Sequence, residues 1–151
     1  MSKRSYSACY LHFVWSTKKH YPLLANKETR EKLYHFFRQY LKEKEIYLTS
    51  IYINPEHIHL LIDLPTNVSI ENVVKLTKGG SSHWINQNDL TKLKFAWATG
   101  YGVFSVSKSN LERVKRYIDN QEEHHKIKTF RDEYREFIHK HGIEFREEQS
   151  L

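Results

Sequence analysis

The sequence predicts an α+β domain: a four-stranded antiparallel sheet, two helices packed on one face, and a further helix reaching over the other. Three observations predict it. Short stretches alternate apolar and polar residues with a period of two, which marks half-buried strands. Longer stretches carry apolar residues at helical spacing behind recognisable caps. The segments follow one another as strand, helix, strand, strand, helix, strand.

The first strand runs from Cys9 to Ser16, with Cys9, Leu11, Phe13 and Trp15 on one side and Tyr10, His12 and Val14 on the other. A basic loop, Thr17-Lys18-Lys19-His20, follows it, and Pro22 closes the segment. Asn26 is a cap for a helix over roughly 27–45, whose buried side is Leu33, Phe36, Phe37, Tyr40 and Leu41. Tyr47 to Ile53, rich in β-formers, is the second strand. Asn54-Pro55-Glu56 then turns the chain into a hairpin.

The returning third strand carries His57-Ile58-His59. Ile58, Leu60, Ile62 and Leu64 share one parity, so the two histidines stand side by side on the opposite face. Neutral imidazoles so placed can share a cation. Taken alone, such a pair is more often two surface or hydrogen-bonded imidazoles. A three-histidine nucleotide hydrolase fits poorly, because Leu61 takes the next position on that face.

Beyond Pro65, Ser69 caps a second helix with Ile70, Val73, Val74 and Leu76 on its buried side. Gly79-Gly80 is a weak point in it, and Lys75 and Lys78 lie on its polar side. Residues 88–96 form a polar loop. Tyr101 to Ser107 is the fourth strand, with Gly100 and Gly102 suggesting a bend or a close backbone approach. This succession is the split βαβ, ferredoxin-like arrangement, and it leaves the histidine face of the sheet open.

The totals bound the function. A chain of 151 residues with 39% hydrophobic and 28% charged content is one soluble domain, 1–151, large enough for a real core. A formal charge of +6 is consistent with a polyanionic partner. A single cysteine, Cys9, excludes an internal disulfide and suits a reducing compartment. The apolar run after Arg4 is too short to span a membrane and lacks a signal-peptide cleavage site, so a cytoplasmic location is expected.

After the core at about 5–107, Ser109-Asn110-Leu111-Glu112 has the pattern of a capping box. It opens a helix of about 110–126 with Leu111, Val114 and Ile118 as its apolar stripe. Tyr117 and Gln121 are four apart and share one face beside that stripe. Laid over the open sheet face, this helix would bring both to His57 and His59. Gln121 would then add an amide oxygen as third ligand to the two imidazoles, leaving positions for substrate oxygens. Tyr117 would supply a phenol nucleophile, weak near neutrality at an ordinary pKa of about 10. Attack on a phosphodiester would give a resealable phosphotyrosine link. Singly, Tyr117 reads more plainly as a packing tyrosine and Gln121 as a surface amide. Together with the histidine pair and a basic helix, they make a less accidental set.

At these residues the chain resembles the single-tyrosine HUH transposases of bacterial and archaeal insertion sequences, with their domesticated repeat-associated relatives. The resemblance covers nearly the whole chain. It rests on Trp15-Ser16-Thr17-Lys18, Pro55-Glu56-His57-Ile58-His59, the run from Lys78 to Asn86, Trp97 through Ser107, and above all Tyr117-Ile118-Asp119-Asn120-Gln121 continuing to His125. His57 and His59 match the family's metal histidines, Gln121 its third ligand and Tyr117 its nucleophile. Ala98 departs from the pattern, where relatives often carry Gln.

The resemblance implies a homodimer that binds hairpins near element ends and cuts single-stranded DNA with Mg²⁺ or Mn²⁺, leaving a 5′-phosphotyrosine and a free 3′-hydroxyl. Lys18, Lys19, Lys78, Lys108, Arg113, Lys115 and Arg116 become candidate DNA contacts, although surface lysines and arginines are common. The sites of the dimer are expected to be shared, with Tyr117 of one chain beside His57 and His59 of the other. A final helix over about 129–142, capped by Thr129 or Asp132, would present Phe130, Tyr134, Phe137 and Ile138 to a partner sheet or to its own.

Other readings remain open on the sequence. A non-catalytic RNA-binding module on the same sheet would need exposed aromatics where His57 and His59 lie. A metal-dependent hydrolase using water would leave Tyr117 structural. A domesticated nuclease acting on repeat hairpins would share the covalent chemistry.

Overall fold

Residues 6–142 are described by the structure, a computed structural model; the two ends of the expected 1–151 domain lie outside that range. Strands β1 (Tyr10–Ser16), β2 (Tyr47–Ile53), β3 (His57–Asp63) and β4 (Gly102–Val106) form one antiparallel sheet in the order β2-β3-β1-β4. The two central strands, β1 and β3, are the ones most fully buried. Helices α1 (Lys27–Glu43) and α2 (Ile70–Gln87) provide the connections β1-to-β2 and β3-to-β4. No described helix is long and apolar enough to cross a membrane.

The alternation in β1 and β3 sorts the side chains as expected. Phe13, Trp15, Ile58, Leu60 and Ile62 join Leu33, Phe37 and Leu41 of α1 and Val73, Val74 and Ile85 of α2 in the main core. Val14 and Leu61, of the other parity, are buried in two smaller clusters on the opposite face. Leu61 packs with Leu111 and Ile118 of α3 (Leu111–Asp119). Val14 packs with Phe104 of β4 and with Phe130 and Tyr134 of α5 (Phe130–Lys140). The face that the sequence leaves open is thus covered by α3 and α5 of the same chain.

Caps explain most helix starts. Asn26 Oδ1 accepts from Thr29 N at 3.1 Å, Ser69 Oγ from Asn72 N at 3.1 Å, and Thr129 Oγ1 from Asp132 N at 3.2 Å. The expected capping box at Ser109 does not form. Ser109 lies in a 3-10 turn over Lys108–Asn110, its hydroxyl 3.1 Å from that of Ser107, and α3 begins at Leu111 with no side-chain cap. The helix expected over 110–126 is also divided at Asn120, so α3 is followed by the single turn α4 (Gln121–His124).

Gly79-Gly80 does not break α2. A Cβ on Gly80 would lie 2.6 Å from Cζ of Tyr40, so the glycine marks where α1 and α2 approach closely. The rest of the Lys78-to-Asn86 run ties down the loop before β4. Ser81 Oγ accepts from Trp97 Nε1 at 2.8 Å, and the Asn86 amide pairs with both backbone groups of Phe95. Lys78 Nζ donates to the carbonyls of Ala98 and Gly100 at 2.9 and 2.5 Å. The loop in turn bonds to the end of β1 through Lys18 N to Ala96 O and Ala98 N to Ser16 O.

Phe37 is wholly buried at the centre of the layer between α1 and the sheet. Phe37→Ala is expected to cost about 3–5 kcal/mol of unfolding free energy, read by denaturant titration. A loss below about 1 kcal/mol would mean that α1 does not anchor the sheet.

Candidate active site and metal centre

Two imidazoles on β3 build the site. His57 and His59 are completely buried on the face away from the main core, with their Nε2 atoms 3.2 Å apart. Each ring is fixed from behind by its other nitrogen. His57 Nδ1 is 2.7 Å from Glu56 Oε1, and His59 Nδ1 is 2.8 Å from Nε2 of His12, the buried histidine of β1 that faces the same way. This outer support fixes tautomer and ring orientation and turns both Nε2 atoms to one point.

Helix α5 brings a carboxylate to that point. Glu133 is 2% exposed, although its neighbours in sequence Arg131 and Asp132 are exposed. Its Oε1 lies 2.9 Å from His59 Nε2 and 3.5 Å from His57 Nε2. Its Oε2 accepts a short hydrogen bond from the Tyr117 hydroxyl and lies 3.5 Å from His125 Nε2. Phe130, one helical turn before Glu133, stacks on the His57 ring with centroids 4.4 Å apart.

Tyr117 comes from α3, its ring 5.9 Å from that of His59 in the same chain. Gln121 is completely buried, and its side chain also bonds to Tyr117. Asn54 bridges it to the histidines: Asn54 Nδ2 is 3.1 Å from His57 Nε2 and donates to Gln121 Oε1 at 3.5 Å. Gln121 Nε2 donates to the Tyr117 carbonyl at 3.3 Å.

The charges follow from burial and contact. Burial lowers His59 to about 4, with the Glu133 hydrogen bond opposing and the charges of His57 and His125 assisting. For His57, burial also favours the neutral ring, but hydrogen bonds to Glu133 and Glu56 outweigh it and raise the pKa. Burial alone would raise Glu133; contacts with His125, His57 and His59 instead hold it well below the usual carboxylate range. Tyr117 is pushed well above an ordinary phenol, first by burial and then by the Glu133 charge and hydrogen bond. The site at rest therefore holds an ionised carboxylate against a protonated phenol and a neutral His59.

The basic candidates are spread out. Lys18 and Lys19 occupy an exposed 3-10 turn where β1 leaves the sheet at its His57 end, since Ser16 pairs with His57. Lys108 lies at the other end, its Nζ 5.7 Å from the Tyr10 ring. Arg113 lines a cleft with Tyr117, Glu133 and Lys140. Lys115 pairs with Glu112 at 3.6 Å, and Arg116 is exposed on α3. Lys78 is half-buried over Trp15 and Tyr101, and burial lowers its pKa to about 8. Its bonds to the loop before β4 account for it structurally.

Residues 5–121, which span both histidines, Tyr117 and Gln121, match the family described as Transposase IS200 like. The chain belongs to this family. Among its relatives, the ISDra2 transposase TnpA of Deinococcus radiodurans is 23% identical over 115 residues, covering 73% of this chain and 81% of the relative. The transposase for insertion sequence element IS200 of Salmonella typhimurium is 28% identical over 130 residues, covering 77% and 84%. Two solved structures share the fold. A crystal structure described as a transposase from Deinococcus radiodurans R1 superposes with a TM-score of 0.62 at 23% identity, covering 80% of this chain and 97% of that one. A REP-associated tyrosine transposase bound to a REP hairpin superposes with a TM-score of 0.59 at 15% identity, covering 83% and 74%. The family match ends at Gln121, so α5 and Glu133 lie beyond it.

Sequence reasoning misses Glu133, His125, Asn54 and His12. Glu133 has a legible signal: it lies three residues after Phe130 and four before Phe137, on the apolar stripe of its helix. A carboxylate there is buried and needs partners.

In metal-free protein the Tyr117 phenol should remain protonated through pH 10, where exposed tyrosines ionise. Glu133→Gln removes the opposing negative charge and should lower that midpoint. Carbon NMR of ring-labelled tyrosine, assigned with Tyr117→Phe, reads both. A Tyr117 midpoint at or below 10 in the parent protein would show that the phenol does not rest against Glu133.

Proposed function

We propose that this chain is a metal-dependent transposase that cuts and rejoins single-stranded DNA through a 5′-phosphotyrosine and recognises hairpins at element ends. The observation that carries the reading is the convergence of Tyr117 and both β3 histidines on one buried carboxylate. A phenol and two metal-type imidazoles packed that tightly support nucleophilic phosphoryl chemistry better than base stacking, which would need exposed aromatics on this face.

The roles follow. Tyr117 Oη attacks phosphorus, a new O–P bond forms, and the bond from phosphorus to the 3′ oxygen breaks. The phenol gives up its proton and the departing 3′ oxygen gains one, leaving a free 3′-hydroxyl and a 5′-phosphate on Tyr117. Attack of a 3′-hydroxyl on that link reverses the step and reseals a strand. At rest, Glu133 and burial hold the phenol protonated, so ionisation of Tyr117 has to accompany substrate engagement. Glu56 and His12 keep both β3 rings turned with Nε2 inward. The donor set suits a divalent cation, since both inward nitrogens are backed by second partners and a carboxylate faces them. Mg²⁺ or Mn²⁺ held by His57 and His59, with Gln121 as third ligand, would supply charge neutralisation at the phosphate and the leaving oxygen.

Arg113 at the cleft beside Tyr117 and the exposed Lys18-Lys19 turn support binding to phosphates, with Lys108, Lys115, Arg116 and Lys78 as weaker candidates. Such binding weakens as salt rises, because bound counterions are released. The REP-hairpin complex of a protein with the same fold supports hairpin recognition. A cytoplasmic location fits a DNA substrate. The single chain places Tyr117 beside its own His59 and Glu133; a homodimer that shares its sites, with Tyr117 exchanged onto the partner's histidines, belongs to the same proposal. The exposed polar turn joining β4 to α3 is a place where that helix could exchange between chains.

Tyr117→Phe is expected to abolish the protein–DNA adduct, read on denaturing gels with labelled single strands, while hairpin binding persists. His57→Ala with His59→Ala, or EDTA, should also abolish it. Adduct formation by Tyr117→Phe protein would defeat the nucleophile assignment. Mixing the two mutants after subunit exchange should restore adduct on the histidine-mutant chain alone if sites are shared; an inactive mixture containing verified heterodimer means each chain serves itself.

A further inference from the structure

We propose that Glu133 and His125 are ligands of the same cation as His57 and His59, and that the second oxygen of Glu133 holds the Tyr117 hydroxyl beside it. The inference rests on the metal reading of His57 and His59 given above and departs from it at Gln121, which it treats as a support of the site and not as the third ligand. These two residues lie outside the stretch that matches the family.

The donor atoms are already spaced as ligands. One atom each from His57, His59, His125 and Glu133 can be chosen so that all four lie within 4.8 Å of one another. The closest separations are 2.9 Å from His59 Nε2 to Glu133 Oε1, 3.2 Å between the two β3 nitrogens, and 3.5 Å from His57 Nε2 to Glu133 Oε1, while His125 Nε2 lies 3.5 Å from the other carboxylate oxygen, Oε2. Metal–ligand bonds of about 2.0–2.2 Å place neighbouring donors about 3.0–3.5 Å apart in octahedral or tetrahedral geometry. Hydrogen bonds alone leave the group incomplete. His125 Nε2 is buried with no hydrogen bond, aimed at Glu133 from 3.5 Å. That distance is long for a hydrogen bond and of the order expected between two donors of one cation.

Gln121 is placed differently. Its Oε1 accepts from Asn54, its Nε2 donates to the Tyr117 carbonyl and its side chain bonds to the Tyr117 phenol, so its amide is engaged by Asn54 and Tyr117 and not by the histidines. Glu133, by contrast, touches the two β3 histidines with one oxygen and meets both the Tyr117 hydroxyl and His125 with the other. It is a ligand on one side and a positioning group for the nucleophile on the other. The helix α5 that delivers it is held by Phe130 against His57 and by Phe137 stacked on Phe104, with centroids 4.4 and 5.4 Å apart.

The test is Mn²⁺ binding by the full chain without DNA, read by electron paramagnetic resonance of the free ion. Parent protein should bind one ion, and His57→Ala with His59→Ala should abolish binding. Glu133→Gln and His125→Ala should each weaken it at least tenfold, and Gln121→Leu should weaken it less. Spin-echo modulation from nitrogen-15 histidine should show three coupled imidazoles in the parent and two in His125→Ala. Circular dichroism checks folding, and Glu133→Asp, which keeps the charge, covers the case in which Glu133→Gln unfolds; its shorter carboxylate should keep part of the affinity. Binding absent in the parent, or indifferent to the histidine pair, overturns the metal reading itself. Binding lost with the histidine pair but unchanged or tighter in Glu133→Gln, or more sensitive to Gln121→Leu, overturns only the present assignment.

Discussion

Everything in the site depends on one constraint: two imidazole nitrogens held 3.2 Å apart, fully buried between the sheet and its covering helices. Two protonated rings could not stay there. Burial drives His59 neutral, while hydrogen bonds to Glu133 and Glu56 outweigh burial at His57 and raise its pKa. The pair therefore demands negative charge close by, and α5 meets the demand by burying a carboxylate within an aromatic stripe. That carboxylate then fixes Tyr117. The nucleophile's position is a consequence of the histidine pair, transmitted through Glu133.

The β-sheet makes the constraint possible. Period-two alternation in β3 sends Ile58, Leu60 and Ile62 into a core shared with α1 and α2 and sends His57 and His59 the other way. Strand pairing places β1 beside β3, so His12 reaches His59 from the neighbouring strand. Slipping β3 by one residue would exchange the two faces and place both histidines in the apolar layer. The main core thus fixes the register of the site as well as the fold.

Much of this is legible in the sequence, for a physical reason. Alternation and helical spacing are local signals, so the strand order, the two core helices, the caps at Asn26, Ser69 and Thr129, and the direction in which His57 and His59 point can all be read. Tyr117 and Gln121 share a face because they are four apart on one helical stretch, although the helix divides between them at Asn120. The failures are non-local or compete with a second partner. Ser109 has the capping pattern, yet its hydroxyl meets Ser107. Gly79-Gly80 reads as a break, yet it permits a close helix approach. Glu133 and His125 act through contacts with a strand more than sixty residues earlier, which no local period encodes. The charge on the apolar face of α5 was the one available sign.

The central claim is that Tyr117 becomes covalently joined to DNA in a site organised by His57 and His59. Mass spectrometry of the protein after incubation with a single-stranded hairpin substrate and Mn²⁺, followed by nuclease and trypsin digestion, tests it most directly. Trypsin cuts after Arg116 and Lys126, which isolates Tyr117 as the only tyrosine in its peptide. The account predicts a nucleotide phosphate mass on that peptide, fragmenting to Tyr117. A modified tyrosine in any other peptide, or cut DNA bearing free 5′-phosphates with unmodified protein, would contradict it.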